Sequence, residues 1–314
     1  DCRLPTADCR LPTADCRLPT ADCRLPTADC RLPTADLTRH TTKEPTMSRF
    51  FKFTLLSLLL LLAAGCNTMQ TKSEPSTLSQ IQQRGKLILG TSGNMPTMTQ
   101  RDATGKLVGF DIDMARLMAS LMEVELVTEV MPFDQLLPAL KAGKVDLVLS
   151  NLTITPKRNM GVAFVGPYLT SGKCFVTKNE TLARAEASEN LNTPATRLAV
   201  LKGSTSEDFA RTMFSQATIV TIEDYAAGAA MVKSDQVGGL LTDYPICVST
   251  LKDNPDAGFV SLFSLLTYEP IGIALPPNDP LFVNWAENFL NRLDGTGTLE
   301  ALGKRWFGKV KLAN

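Results

Sequence analysis

The stretch Ser150-Asn151-Leu152-Thr153-Ile154-Thr155-Pro156-Lys157-Arg158 decides how this chain is read. It follows Val145-Asp146-Leu147-Val148-Leu149, an apolar run that predicts a buried strand of a parallel sheet over 145–150. A ligand of an open α/β sheet settles just beyond the carboxyl ends of the strands. Ser150, Asn151 and Thr153 stand there with short hydrogen-bonding groups. Arg158 adds a planar fork of donors that suits a carboxylate in two-point fashion. The plainer alternative is a polar strand-to-helix turn carrying a surface arginine.

Outward from this stretch, strand and helix patterns alternate. Residues 86–91 and 124–130 read as strands, and 110–122 as a helix with Ile112, Ala115, Leu117 and Leu121 among its apolar positions. A second helix over 133–141 stops at Gly143. The same style recurs further on. Strands are expected at 198–201, 218–222 and 238–243, with helices at 204–214, 224–233 and 244–251. Ser204 and Thr205 are good N-caps, with Glu207 close behind. Trp285 and Phe289 lie at helical spacing within 283–293 and read as core anchors. Such alternation predicts the α/β class, mixed sheets flanked by helices. The turn Gly203-Ser204-Thr205 also puts N–H groups and a helix dipole where an anion is favoured; a simple capped helix start is the alternative.

Several motifs in this order resemble the periplasmic solute-binding proteins of ABC transporters, in the family that binds polar amino acids. They are GKLILGTSGNMPTM, KLVGFDIDMARLMA, FDQLLPALKAGKVDLVLSNLTITPKR, FVGPYLTSG and GTLEALGKRWFG, spanning 86–308. The resemblance implies a two-lobed periplasmic-binding-protein fold of type II, with the ligand in the cleft between the lobes. The first lobe would comprise 85–171 and 267–314, and the second 172–266. Thr170-Ser171-Gly172 and Leu266-Thr267-Tyr268 would be the two crossings, and paired crossings of this kind serve as a hinge.

A free amino acid presents a carboxylate and an ammonium on one carbon. The resemblance implies that Arg158 and the Gly203-Ser204-Thr205 turn meet the carboxylate from opposite lobes. It implies likewise that Asp243 holds the ammonium, although Asp243 is also an ordinary N-cap for the helix after it. Ser150, Asn151 and Thr153 would complete the pocket. On the side-chain wall this sequence departs from the family. Ser92-Gly93-Asn94-Met95-Pro96-Thr97-Met98 holds neither the stacking aromatic residue of many members nor an acid near Ser92. Phe133 is left as an apolar wall, with Met95 and Met98 as a soft surface. A neutral or polar amino acid is therefore the expected ligand, and the expected partner is an ABC permease in the inner membrane.

The N-terminus stands apart. Residues 1–35 are five copies of DCRLPTA. One leucine per seven residues, with a proline in every copy, supports neither a helical stripe nor a buried strand. Segment 1–46 is read as translated upstream sequence, and Met47 as the start; a disordered tract is the alternative. Arg49 and Lys52 precede an apolar run too short to span a bilayer, so 47–65 reads as a signal peptide. Ala63-Ala64-Gly65-Cys66 resembles the lipobox of bacterial lipoproteins, with Cys66 as the lipidated residue, although Ala63 stands where leucine is usual. A plain cleaved signal is the alternative. Residues 66–84 are expected to be a tether from the membrane to a monomeric receptor in the periplasm or cell envelope.

Composition narrows the function classes. Nine of the 32 basic and seven of the 32 acidic residues precede Asn67. The remainder carries 23 and 25, a net charge near −2, so no basic field exists to draw nucleic acid. The only histidine, His40, precedes Met47. The usual serine or cysteine triad then lacks its base, and zinc its commonest ligand, so neither metal nor cofactor is expected. Cys174 and Cys247 remain either as a bridge or as two buried thiols. Two rivals to a binding module persist: a dehydratase of the cyclohexadienyl or arogenate type, and a sensor for a membrane partner. A dehydratase needs a pocket acid as general acid, and beyond Asp243 no second one is evident. The chain is therefore expected not to be an enzyme.

Overall fold

The computed structural model describes residues 75–180, 191–262 and 267–308. The repeat, the expected signal peptide, Cys66 and Leu266 of the expected second crossing lie outside the described residues. Helix Thr77–Arg84 opens on Ser76, whose Oγ accepts the Ser79 N–H, and closes on Gly85 in the left-handed conformation. It buries Leu78 and Ile81. The end of the expected tether is thus a packed helix, because Leu78 and Ile81 stand three apart and share one face.

Two five-stranded sheets follow. The strands of the first are β1 (Lys86–Thr91), β4 (Glu125–Val130), β5 (Leu147–Val148), β6 (Ala163–Ser171) and β12 (Glu269–Leu275), in the order β4-β1-β5-β12-β6. β2 (Gln100–Arg101) and β3 (Leu107–Val108) form a small separate hairpin. The second sheet holds β7 (Lys173–Thr177), β8 (Arg197–Leu201), β9 (Thr218–Ile222), β10 (Gly239–Asp243) and β11 (Val260–Leu262), in the order β11-β7-β10-β8-β9. β1 runs parallel to β4 and β5, and β8 parallel to β9 and β10. In each sheet an antiparallel pair completes the edge, β12 with β6 and β7 with β11. Helices on the faces make this a two-lobed α/β fold. Among the described residues no helix is long and apolar enough to cross a membrane.

The strands are central because both of their faces are apolar. Leu198 and Val200 pack with Leu241, Ala210 and Phe214, whereas Ala199 and Leu201 face the main core. In the first sheet Leu87, Leu89, Leu147 and Val148 pack with Phe110, Met114 and Met118 of helix Phe110–Leu121. Gly109 precedes that helix at φ 140°, and a Cβ there would lie 2.1 Å from the Met98 carbonyl oxygen. Glycine thus sets the entry angle that buries Asp111.

Several elements differ from expectation. The strand expected over 145–150 is confined to Leu147–Val148, which pair with Leu89 and Gly90 of β1, while only Val148 meets β12, at Ala274. The helix expected over 133–141 begins as a 3-10 turn, Phe133–Gln135, before helix Leu136–Lys141. Helix Pro280–Gly295 holds Phe289 in the core, with Trp285 stacked on it at 5.6 Å between ring centroids. Cys174 and Cys247 form a disulfide with Cα atoms 6.2 Å apart, joining β7 to helix Tyr244–Asp253.

Candidate functional site

The candidate site lies where β5 and β10 end, facing each other across the lobes. After β5 the chain bends sharply. Asn151 adopts φ 49°, a left-handed conformation that asparagine tolerates. Its N–H donates to Asp111 Oδ2 at 2.7 Å, and the Tyr168 hydroxyl donates to Asp111 Oδ1 at 2.7 Å. Asp111 is fully buried, and that burial lifts its pKa to about 7 against the lowering effect of these two bonds. The bend aims the Asn151 side chain at the other lobe, where Nδ2 donates to Asp243 Oδ2 at 2.8 Å. Asn151 Oδ1 is buried and has no hydrogen-bond partner.

Asp243 occupies the N-cap position of helix Tyr244–Asp253, yet its side chain makes no capping bond. Its oxygens face the cleft. Oδ1 accepts from Lys173 Nζ at 2.6 Å. The Lys173 side chain is fully buried. Its ammonium also donates to Thr205 Oγ1 at 2.7 Å and pairs with Glu269 Oε2 at 3.2 Å. Thr205 in turn donates to Glu269 at 3.0 Å, and Thr267 donates to its other oxygen at 2.8 Å. Burial pushes Glu269 up, but Lys173 and these hydroxyls outweigh it and hold the carboxyl below its usual range. An ammonium without water needs such partners, since desolvation costs several kcal/mol.

Arg158 sits on the short helix Pro156–Asn159, capped by Thr155. Its guanidinium donates to the Thr153 carbonyl at 2.8 Å and, across the lobes, to the Gly203 carbonyl at 3.1 Å. The guanidinium carbon lies 5.7 Å from the Phe133 ring centroid, a cation–π distance. Burial lowers the Arg158 pKa, while the charges of Asp243, Asp208 and Glu269 oppose that fall. Two donors of the fork are engaged with carbonyls, and a guanidinium has five N–H groups.

The remaining expected residues divide. Thr153 approaches Thr205 across the lobes at 3.4 Å between hydroxyls. Ser150 turns inward, bonding Ser92 Oγ at 3.0 Å and receiving the Ser92 N–H at 3.1 Å. Ser92 and Ser150 therefore stitch the ends of β1 and β5 together. Met95 lies in the core with its sulfur 3.8 Å from Ser150 Oγ, and Met98 is fully buried. They pack beneath the site rather than forming a soft wall, because the Met95 backbone is pinned to Thr99 in both directions. The anion turn is also spent differently. The Gly203 N–H donates to Glu207 and the Ser204 N–H to the Leu201 carbonyl, while Ser204 Oγ caps Glu207. The Glu207 carboxylate thus takes the Gly203 donor assigned to the ligand's carboxylate.

Three residues escaped the sequence reading: Asp111, Lys173 and Glu269. A second acid does face the cleft, contrary to expectation. Lys173 follows the first crossing and Glu269 the second, and each precedes an apolar strand. A lone charge at such a junction was the available signal. The rim adds a latch between lobes, Lys202 to Asp134 at 3.0 Å and Asn94 Nδ2 to the Glu223 carbonyl at 3.0 Å.

Residues 87–309 match the family model described as bacterial extracellular solute-binding proteins, family 3. The chain is similar to ABC transporter arginine-binding protein 1 of Escherichia coli (strain K12), 26% identical over 71% of this chain and 90% of that one. The ABC transporter glutamine-binding protein GlnH of Bacillus subtilis (strain 168) is 26% identical over 83% of this chain and 97% of its own. Among solved structures, the ancestral amino acid-binding protein AncCDT-1, a precursor of cyclohexadienyl dehydratase, is 33% identical with a TM-score of 0.68. That match covers 74% of this chain and all of the other.

Proposed function

We propose, from the premise that this chain belongs to the bacterial extracellular solute-binding proteins of family 3, that it closes on a free, neutral or polar amino acid. One observation carries this reading. Arg158 and Asp243 approach from opposite lobes, and beside Asp243 stands a buried acceptor, Asn151 Oδ1, that no donor satisfies. A buried acceptor left empty is costly, so a ligand N–H there is strongly favoured. The donors left on Arg158 suit the carboxylate of the same ligand. The wider proposal is a monomeric receptor, lipid-anchored at Cys66 in the cell envelope, that hands its ligand to an ABC permease.

The second cleft acid raises the dehydratase alternative. General-acid catalysis needs a carboxyl that holds its proton near neutrality. Lys173 keeps Glu269 ionised instead, and the carboxyl lifted to about 7, Asp111, lies beneath Asn151. Binding without chemistry fits these groups better. Titration calorimetry with an amino-acid panel tests the reading. Arg158→Ala should lower affinity roughly thirtyfold or more, equal to about 2 kcal/mol. Turnover of prephenate or arogenate, with no amino acid bound, would overturn it.

A further inference from the structure

Four charged side chains meet at the centre of the cleft, and their charges cancel: Arg158 and Lys173 against Asp243 and Glu269; Asp208, which also acts on Arg158, is exposed at the rim, where water screens it. Two of them stand at the strand starts beyond the crossings. Lys173 opens β7, directly opposite Asp243 in the β-ladder. Glu269 opens β12, directly opposite Ser171. Each donor of the Lys173 ammonium has a protein acceptor in Asp243, Thr205 and Glu269. The lysine is therefore a fixed cation of the site rather than a hand reaching for the ligand. Glu269 offsets it.

From this geometry we propose that Lys173 and Glu269 set the net charge of the ligand that the cleft accepts, tuning it to a zwitterion with an uncharged side chain. This deepens the amino-acid reading and rests on it. With the protein charges balanced, a zwitterion leaves the closed cleft neutral, whereas a ligand with a cationic side chain leaves an excess positive charge away from water. That excess weakens binding because low-dielectric surroundings strengthen every like-charge contact. Lys173 acts through field and position, without touching the ligand's reacting or recognised atoms.

The test compares arginine with citrulline, a neutral molecule of nearly the same shape, by titration calorimetry on the intact soluble protein. The ratio of their affinities reads charge and cancels any general loosening of the site. Lys173→Met should raise the arginine-to-citrulline ratio about tenfold, and Glu269→Gln should lower it about as much. The double variant, neutral again, should return within threefold of the unaltered ratio. A ratio that moves less than threefold in the single variants, or moves the same way in both, overturns the inference. If Lys173→Met does not fold by circular dichroism, Glu269→Gln reads the same charge with the opposite sign. Should the unaltered protein bind no amino acid at all, the amino-acid reading itself falls; binding with an unmoved ratio sinks the charge assignment alone.

Discussion

Each wall of the cleft is held from behind by one buried ionisable side chain, and the two are handled in opposite ways. In the first lobe Asp111 bonds an N–H and a hydroxyl, groups with dipoles but no net charge. In the second lobe Lys173 lies between two carboxylates. The consequence shows in titration. Asp111 is lifted to about 7, whereas Glu269 is drawn below its ordinary value. Dipoles can aim a buried carboxyl but do not keep it ionised against desolvation; an opposite charge does. One wall is therefore sensitive to pH near neutrality, and the other is locked.

Removing a counter-ion from the locked wall should have the largest effect. Asp243→Ala leaves Lys173 buried with half of its countercharge, and unfolding in urea should show a loss of about 3–5 kcal/mol. A loss below about 1 kcal/mol would mean that the second wall is not held by its ions.

The dipolar wall yields next, through pH. Asp111 has a folded pKa near 7 against an ordinary 3.8, so the folded state holds the extra proton between those values. The stability it contributes is complete below about 4 and is lost as pH rises towards 7, up to about 4 kcal/mol. Asp111→Asn should remove that slope. Urea unfolding from pH 4 to 8 would measure it, and parallel curves for the two proteins would refute the assignment.

The smallest change tests whether the walls meet. Gly203 has φ 73°, and a Cβ there would lie 2.8 Å from Asp134 Cβ in the opposite lobe. Gly203→Ala should cost about 1–2 kcal/mol in the left-handed conformation. Affinity should fall about tenfold beyond that, because the methyl group wedges the closed form. Unchanged affinity would show that closure does not press these two residues together.

Legibility followed packing. β1, β8 and β10 were readable because central strands are short apolar runs bounded by turns, and the edge strand β9 because all five of its residues are β-branched. β6 and β12 were not, since Gly166-Pro167 and Gly272 interrupt their patterns and their register shifts between Ile271 and Ile273. Asn151 and Asp243 were legible as polar residues at strand ends, and Arg158 as the fork of donors in the polar stretch that follows β5. Lys173 and Glu269 were not, because a charge at the start of a strand ordinarily points to water. Only the pairing of the two crossings brings them together. Met95 misled for the converse reason: an apolar side chain near a site reads as lining whether it faces the ligand or the core. The disulfide stayed open because 73 residues separate its cysteines, and spacing alone does not fix such a pairing.

The Cys174–Cys247 bond has a further consequence. It encloses Gly203, Thr205 and Asp243 in one covalent ring, while Arg158 and Glu269 lie outside it. Any single protease cut inside the ring leaves one connected molecule, so the ionic wall can survive a nick in its own lobe. A cut between Arg158 and Cys174, by contrast, divides the chain into two pieces, and the piece that carries Arg158 keeps no covalent link to the one that carries Asp243 and Glu269.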